Sequence, residues 1–243
     1  INPTSVKVSE DGETATYSIK LNSEPAAEVV VTVLPNKQLT VKPPDKTFDN
    51  TNWDIAQEIT VYAVDGDIAE GLHTGKMTHT VSSADENYQP DMFAIADVEA
   101  EIQDNDAPGV TISVPDDFKA TEDGDTASYG VKLNSQPTAD VIVRMSNPDG
   151  QTELAPMALK FTTDDWDTER SVTVSAVDDT IVEGLHSGTI MHNVISDDPF
   201  YKDEMFAIDN AKVEIKDNDS AGVRIVPTSV EVAEGGSTAT YSV

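Results

Sequence analysis

The sequence predicts an all-β chain built from tandem seven-stranded antiparallel β-sandwiches set end to end. Three observations carry that expectation. The chain repeats itself, each repeat is a series of short runs bounded by turn residues, and no stretch of a dozen residues has helical periodicity.

The repeat is explicit. "SEDGETATYSIKLNSEPAAEVVVTV" (9–33) aligns with "TEDGDTASYGVKLNSQPTADVIVRM" (121–145), placing Glu10 and Glu122 at an offset of 122 − 10 = 112. "NWDIAQEITVYAVDGDIAEGLHTGKMTHTV" (52–81) aligns with "DWDTERSVTVSAVDDTIVEGLHSGTIMHNV" (165–194), where Glu70 and Glu183 stand 183 − 70 = 113 apart. A third copy opens at "AGVRIVPTSVEVAEGGSTATYSV" (221–243). The expected units are therefore 1–107, with its first strand incomplete, then 108–220, then the start of a third repeat at 221–243. Because the pattern breaks off in "TATYSV", the chain reads as an excerpt from a longer array.

Within the first unit, runs near 5–9, 14–21, 28–34, 39–48, 57–64, 74–83 and 96–103 supply the seven strands. They are rich in Val, Ile, Thr and Tyr, largely alternate, and are separated by Pro, Gly, Asn and Asp. Seven short strands in a unit of this length fit a sandwich. Between units almost no linker remains, since Asp106 is followed by "APGV" and the next run, and short linkers make stiff arrays.

Composition narrows the function. Lys+Arg number 15 against Asp+Glu 45, a net charge of −30, which argues against nucleic acid and anionic lipid as partners. Hydrophobic content of 38% with only 6% aromatics points to a core of small aliphatic side chains. There is no cysteine, so disulfides and thiolate metal sites are excluded. No apolar run is long enough to span a membrane.

The acids are not spread evenly. They gather in the first turn ("SEDG"), a mid-unit loop, the turn "VDGDIAEG" and the closing "DND". If those turns share one end of the sandwich, Glu10, Asp65, Asp67, Glu70, Asp104 and Asp106 converge, with Glu122, Asp178, Asp179, Glu183, Asp217 and Asp219 in the second unit. Two carboxylates about 4 Å apart repel by roughly 4 kcal/mol at an effective dielectric near 20. A hard divalent cation relieves that best; Ca2+, with six to eight oxygen ligands in flexible geometry, is preferred to Mg2+. The plain alternative is that Asp and Gly simply favour turns and stay solvated. EF-hand spacing fails, since Lys76 occupies the twelfth position counted from Asp65. No paired zinc ligands are evident in the sequence.

These residues resemble the Calx-beta family: a Glu after the first strand ("VSEDG", "ATEDG", "VAEGG"), then "VDGDIAEG" or "VDDTIVEG", then "DND". The likeness covers both full units and the third opening. It implies an immunoglobulin-like sandwich, Ca2+ held by the acids named above, and an additional ligand near Asp149 in unit two, where unit one has Asn36. One departure stands out: where the family often reads Glu-Gly-Asp-Glu, this chain reads "EGLH", so His73 and His186 replace a common carboxylate ligand.

The resemblance further implies a non-enzymatic extracellular or cell-surface segment, a structural or adhesive repeat array stiffened by Ca2+ at the joints between repeats. Its partners would be neighbouring repeats, other surface or matrix proteins or glycans, or laterally associated copies forming a filament. A carbohydrate- or protein-recognition module, or an accessory segment of a larger surface enzyme, stays open as an alternative. Catalysis finds no motif: there is no Gly-x-Ser-x-Gly elbow, no Cys and no phosphate-binding glycine loop. Among the remaining features, His79 and His192 read as hydrogen-bonded core residues, Trp53 and Trp166 as sandwich caps, and Tyr88 and Tyr201 as edge aromatics. A sequon at Asn218 ("NDS") overlaps the acidic pole.

Overall fold

The computed structural model describes all of residues 1–243, and the chain is all-β. Its one helical element is a single 3-10 turn, Glu86–Tyr88, and no helix is long and apolar enough to cross a membrane. Residues 1–103 hold β1 (Ser5–Ser9), β2 (Ala15–Ile19), β3 (Val29–Pro35), β4 (Leu39–Lys42), β5 (Asp45–Phe48), β6 (Gln57–Ala63), β7 (His73–Ser83) and β8 (Val98–Gln103). A five-stranded sheet ordered β1-β8-β7-β3-β5 faces a three-stranded sheet ordered β2-β6-β4. Alternating inward residues such as Val6, Val8, Val29, Val31, Val33, Met77 and Val81 close a core of 19 buried residues. Burying each such side chain contributes roughly 1.5–3 kcal/mol.

The second half repeats the plan with β9 (Val110–Ser113), β10 (Lys119–Thr121), β11 (Ala127–Leu133), β12 (Val141–Ser146), β13 (Thr152–Ala155), β14 (Ala158–Phe161), β15 (Arg170–Ala176), β16 (Leu185–Ser196) and β17 (Ala211–Lys216). Its sheets run β10-β17-β16-β12-β14 and β13-β15-β11-β9 around a separate core of 20 buried residues. The extra strand, β9, pairs with β11 and sets Val110 opposite Leu133. In the first sandwich the corresponding edge carries only the bridge between Asn2 and Ser18, and an apolar groove of about 350 Å3 lies beside Leu21, Tyr88 and Ile95.

Two expectations need correction. The strand count is eight and nine rather than seven, because the run 39–48 and its counterpart in the second half divide and the second half also carries β9. Pro43 and Pro44 cannot continue a ladder, so β4 pairs with β6 in one sheet and β5 with β3 in the other. Pro156 makes the same break between β13 and β14. Nor are the sheets wholly antiparallel: β1 runs parallel to β8 and β10 parallel to β17. Residues 221–243 add neither a named strand nor a buried residue; they form an open loop closed by one bridge, Val226 to Ser242.

The aromatic and histidine positions behave as core fittings. Trp53 and Trp166 pack, partly buried, against the two cores. Tyr88 and Tyr201 are buried deeper than edge positions require, each donating its hydroxyl to a backbone carbonyl, Ser23 O at 2.6 Å and Ser135 O at 2.7 Å. His79 and His192 meet the hydroxyls of Tyr17 and Tyr129 at 2.9 Å. The His192 Nδ1–H donates to Asp209 O at 3.0 Å, leaving Nε2 to accept from Tyr129.

Burial holds His79 and His192 below the ordinary histidine value of 6.5. The unfolded chain therefore takes up these protons first, and their contribution to stability, full above pH 6.5, falls as the pH drops below it. Urea melts between pH 7 and 5 are expected to show a shallower acid loss for His192→Gln than for the wild type.

Candidate metal centre

The parallel pairs place the site. Because β1 and β8 run side by side in the same direction, with Ser9 opposite Gln103, they end at the same pole. The next residues, Glu10 and Asp104, come together there although far apart in sequence, and Glu10 N donates to Gln103 O at 3.0 Å. Antiparallel to β8, β7 begins at that pole, with His73 opposite Ile102. The β6–β7 loop delivers Asp65, Asp67 and Glu70 to the same end. In the second sandwich Thr121 lies opposite Lys216, so Glu122 meets Asp217 in the same way.

Asp104 is the keystone of the loop. Its Oδ2 accepts the N–H groups of Glu70 and Gly71, both at 2.6 Å, and its Oδ1 accepts from Asp106 N at 2.9 Å. Burial alone would raise its pKa. The three N–H donors, from Asp106, Gly71 and Glu70, outweigh that and hold it below the usual carboxylate value. Asp217 repeats the arrangement with Glu183, Gly184 and Asp219, and is held low chiefly by the N–H groups of Asp219 and Gly184.

The neighbouring acids are pushed the other way. Burial first, then the charge of Asp104, lifts Glu10 from 4.5 to about 6. Asp106 is raised by burial and then by Asp104, Asp67 and Asp65. Glu122 and Asp219 are raised in the second sandwich, again chiefly by burial. Within each pole one acidic group is stabilised as an anion by backbone donors, while those around it are destabilised as anions.

The structure gathers Glu10, Asp104 and Asp106, with ligand-capable oxygens all within 4.8 Å of one another, and likewise Glu122, Asp217 and Asp219. It gathers a second set around the same glutamate: Glu10, Glu70 and His73, and in the other sandwich Glu122, Glu183 and His186. Glu10 Oε2, Asp106 Oδ2, Glu122 Oε1 and Asp219 Oδ2 are buried without a hydrogen-bond partner. No Lys or Arg neutralises them; the Lys and Arg ion pairs, such as Lys7–Glu101, Lys76–Asp97 and Arg170–Asp165, lie elsewhere.

The other expected ligands stand farther out. Asp65 and Asp178 sit at the rim, where Asn105 and Asn218 donate to them at 3.2 and 3.1 Å. Asn218, the sequon residue, is thus engaged in the pole. Asp67 and Asp179 raise the pKa of Asp106 and Asp219 by their charge but belong to neither close set. Asp149 also lies outside the close sets, its Oδ2 taking Thr189 N at 2.6 Å and its Oδ1 taking Gln151 N at 3.2 Å. An aspartate after "NP" and before Gly150 is a turn residue by local chemistry.

Two residues emerge only from the structure. Gln38 Nε2 donates to both oxygens of Glu70, at 3.0 and 2.8 Å, and Gln151 Nε2 donates to Glu183 at 3.1 Å. They orient those carboxylates. Their recurrence at an offset of 151 − 38 = 113 was the available signal.

The first pole also touches the second sandwich. Gln136 N donates to Asp67 O at 2.6 Å, Ile68 forms a parallel bridge with Gln136, and Ala69 is buried. The loop bearing the acids is therefore part of the contact between the two halves.

No family model and no curated protein sequence matches the chain. Solved structures similar to it include the calcium binding domain CBD12 of CALX1.1, at 12% identity over 87% of this chain and 97% of that one, with a TM-score of 0.36. CBD12 from CALX1.2 is similar at 15% identity over 82% of each chain, with a TM-score of 0.33. The D0-D1 domain of Intimin is similar at 14% identity over 88% of this chain and 94% of that one, with a TM-score of 0.30. At these scores the likenesses add nothing to what the chain's own residues show.

Proposed function

We propose that the chain is a non-catalytic extracellular spacer made of Calx-beta-like modules, 1–107 and 108–220 followed by the opening of a third at 221–243. In this reading each acidic pole binds Ca2+ and braces the joint to the next module. The observation that carries it is the set of buried, partnerless carboxylate oxygens on Glu10 and Asp106, repeated on Glu122 and Asp219. An unpaired anion out of water is costly, and a hard cation is the partner that oxygen-only sets suit. Glu10, Asp104 and Asp106 form the centre of the Ca2+ position, with Asp65 and Asp67 near enough to add outer oxygens or water-bridged contacts. Glu122, Asp217 and Asp219 form the second, with Asp178 and Asp179 outside it.

Coupling to the joint follows from the loop. Asp67 offers its carboxylate to the pole while its carbonyl accepts from Gln136 of the next sandwich. An ion that orders the loop orders the contact. Extracellular modules of this kind bind Ca2+ with Kd on the order of 0.1–1 mM. Small-angle scattering with Ca2+ and then with chelator tests the reading. The expected outcome is a narrower distribution of end-to-end distances with Ca2+ and a broader one after chelation, with Mg2+ giving a smaller effect. Identical profiles in all three conditions would count decisively against a bracing ion.

A further inference from the structure

We propose that each pole carries a second cation position of different chemistry, formed by Glu10, Glu70 and His73 and by Glu122, Glu183 and His186, which takes an imidazole-accepting divalent transition-metal ion of the Zn2+ type.

The histidine supplies the argument. His73 Nδ1 lies 2.9 Å from Gly71 O, and His186 Nδ1 lies 3.1 Å from Gly184 O. A carbonyl oxygen can only accept, so Nδ1 carries the proton and the neutral ring turns its Nε2 lone pair the other way. That Nε2 is buried and without a hydrogen-bond partner in both sandwiches. It faces Glu70 Oε2 at 3.6 Å and Glu183 Oε2 at 3.4 Å, so a lone pair is aimed at a carboxylate with no donor between them. A metal ion resolves the conflict by accepting from both. An Nδ1–H anchored on a backbone carbonyl is also how metal-bound histidines are commonly oriented.

The carboxylates are held for the same purpose. Gln38 and Gln151 hold Glu70 and Glu183 by hydrogen bonds to their carboxylates. Glu122 is only 6% exposed, yet its Oε1 has no partner. One nitrogen and two carboxylates within 4.8 Å suit Zn2+ better than Ca2+, whose ligands are oxygens. This position shares Glu10 or Glu122 with the proposed Ca2+ position but does not require Ca2+ to be bound there.

The test is calorimetric titration of the full chain with Zn2+ alone and Ca2+ alone, on the wild type, His73→Gln/His186→Gln and Asp106→Asn/Asp219→Asn. The histidine variant is expected to lose at least tenfold in Zn2+ affinity and keep its Ca2+ titration, while the aspartate variant does the reverse. Because a variant can misfold, the wild type is also followed by nitrogen NMR. Zn2+ should move the ring Nε2 resonances of His73 and His186 and leave those of His79 and His192 in place. Zn2+ affinity unchanged by the histidine substitutions, or ring signals of His73 and His186 unmoved, overturns the proposal. Histidine-dependent Zn2+ binding with no Ca2+ binding would instead remove the Ca2+ reading and leave this one standing.

Discussion

Replacing Glu10 by Gln is expected to make the first sandwich more stable without Ca2+ and to remove most of its response to Ca2+. The carboxyl is raised from 4.5 to about 6, so at pH 7 it is held ionised against burial and the charge of Asp104. A shift of that size corresponds to an upper limit of about 2 kcal/mol, and solvent screening at a partly exposed site lowers the expected gain to about 1 kcal/mol. The sign with pH follows. The folded state binds the Glu10 proton more tightly than the unfolded chain, so this group stabilises fully below pH 4.5 and loses that contribution as pH rises through about 6.

With Ca2+ at ten to a hundred times Kd, the wild type should gain roughly 1.4–2.7 kcal/mol per occupied site, and the variant should not. For a module of this size that is a Tm rise of about 5–20 °C. Thermal melts of both proteins at pH 7, with chelator and with Ca2+, check all three statements. A variant that is less stable in chelator and equally responsive to Ca2+ would show that Glu10 is a structural residue.

Asp104 should behave in the opposite sense. Asp104→Asn replaces one of two accepting oxygens with a donor that faces backbone N–H groups, at a residue only 8% exposed. Losing charge-assisted bonds of this kind costs about 2–3 kcal/mol, and the loss should appear with Ca2+ or without it. Its depressed pKa gives the matching pH dependence: the stabilisation is present above the unfolded value of 3.8 and is lost as pH falls through the lower folded value. Urea unfolding of Asp104→Asn in chelator, beside Glu10→Gln, should displace the midpoint to the opposite side of the wild type. Hydrogen exchange would also report faster opening at the Glu70 and Gly71 amides.

Much of this was legible in the sequence. The offset between Glu10 and Glu122 marked the recurrence, the alternating runs marked the strands, and the acids brought together are those of the first turn, the "AEG" or "VEG" turn and "DND". What could not be read was direction. Alternation of side chains is blind to whether a neighbouring strand runs up or down, and the parallel β1–β8 pairing is what sets Glu10 beside Asp104. The run 39–48 looked continuous because its outer halves both alternate, while Pro43 and Pro44 carry the chain from one sheet to the other. Asp149 lies outside the close sets, where Thr189 N donates to it. The roles of His73 and Gln38 depend on where a ring nitrogen and an amide point, which composition does not encode.

The parallel pairing has a mechanical consequence. If the proposed spacer is placed under tension, each sandwich is pulled from both ends, and β1 begins at one end while β8 leaves from the other. The pull therefore slides the two strands past each other, loading the ladder's hydrogen bonds together instead of unzipping them singly. Five residue pairs resist in the first sandwich and three in the β10–β17 pair of the second. A cation clasping Glu10 to Asp104 would rivet the two sliding strands at the exit, so the strength of the proposed spacer would rise and fall with the divalent ions around it.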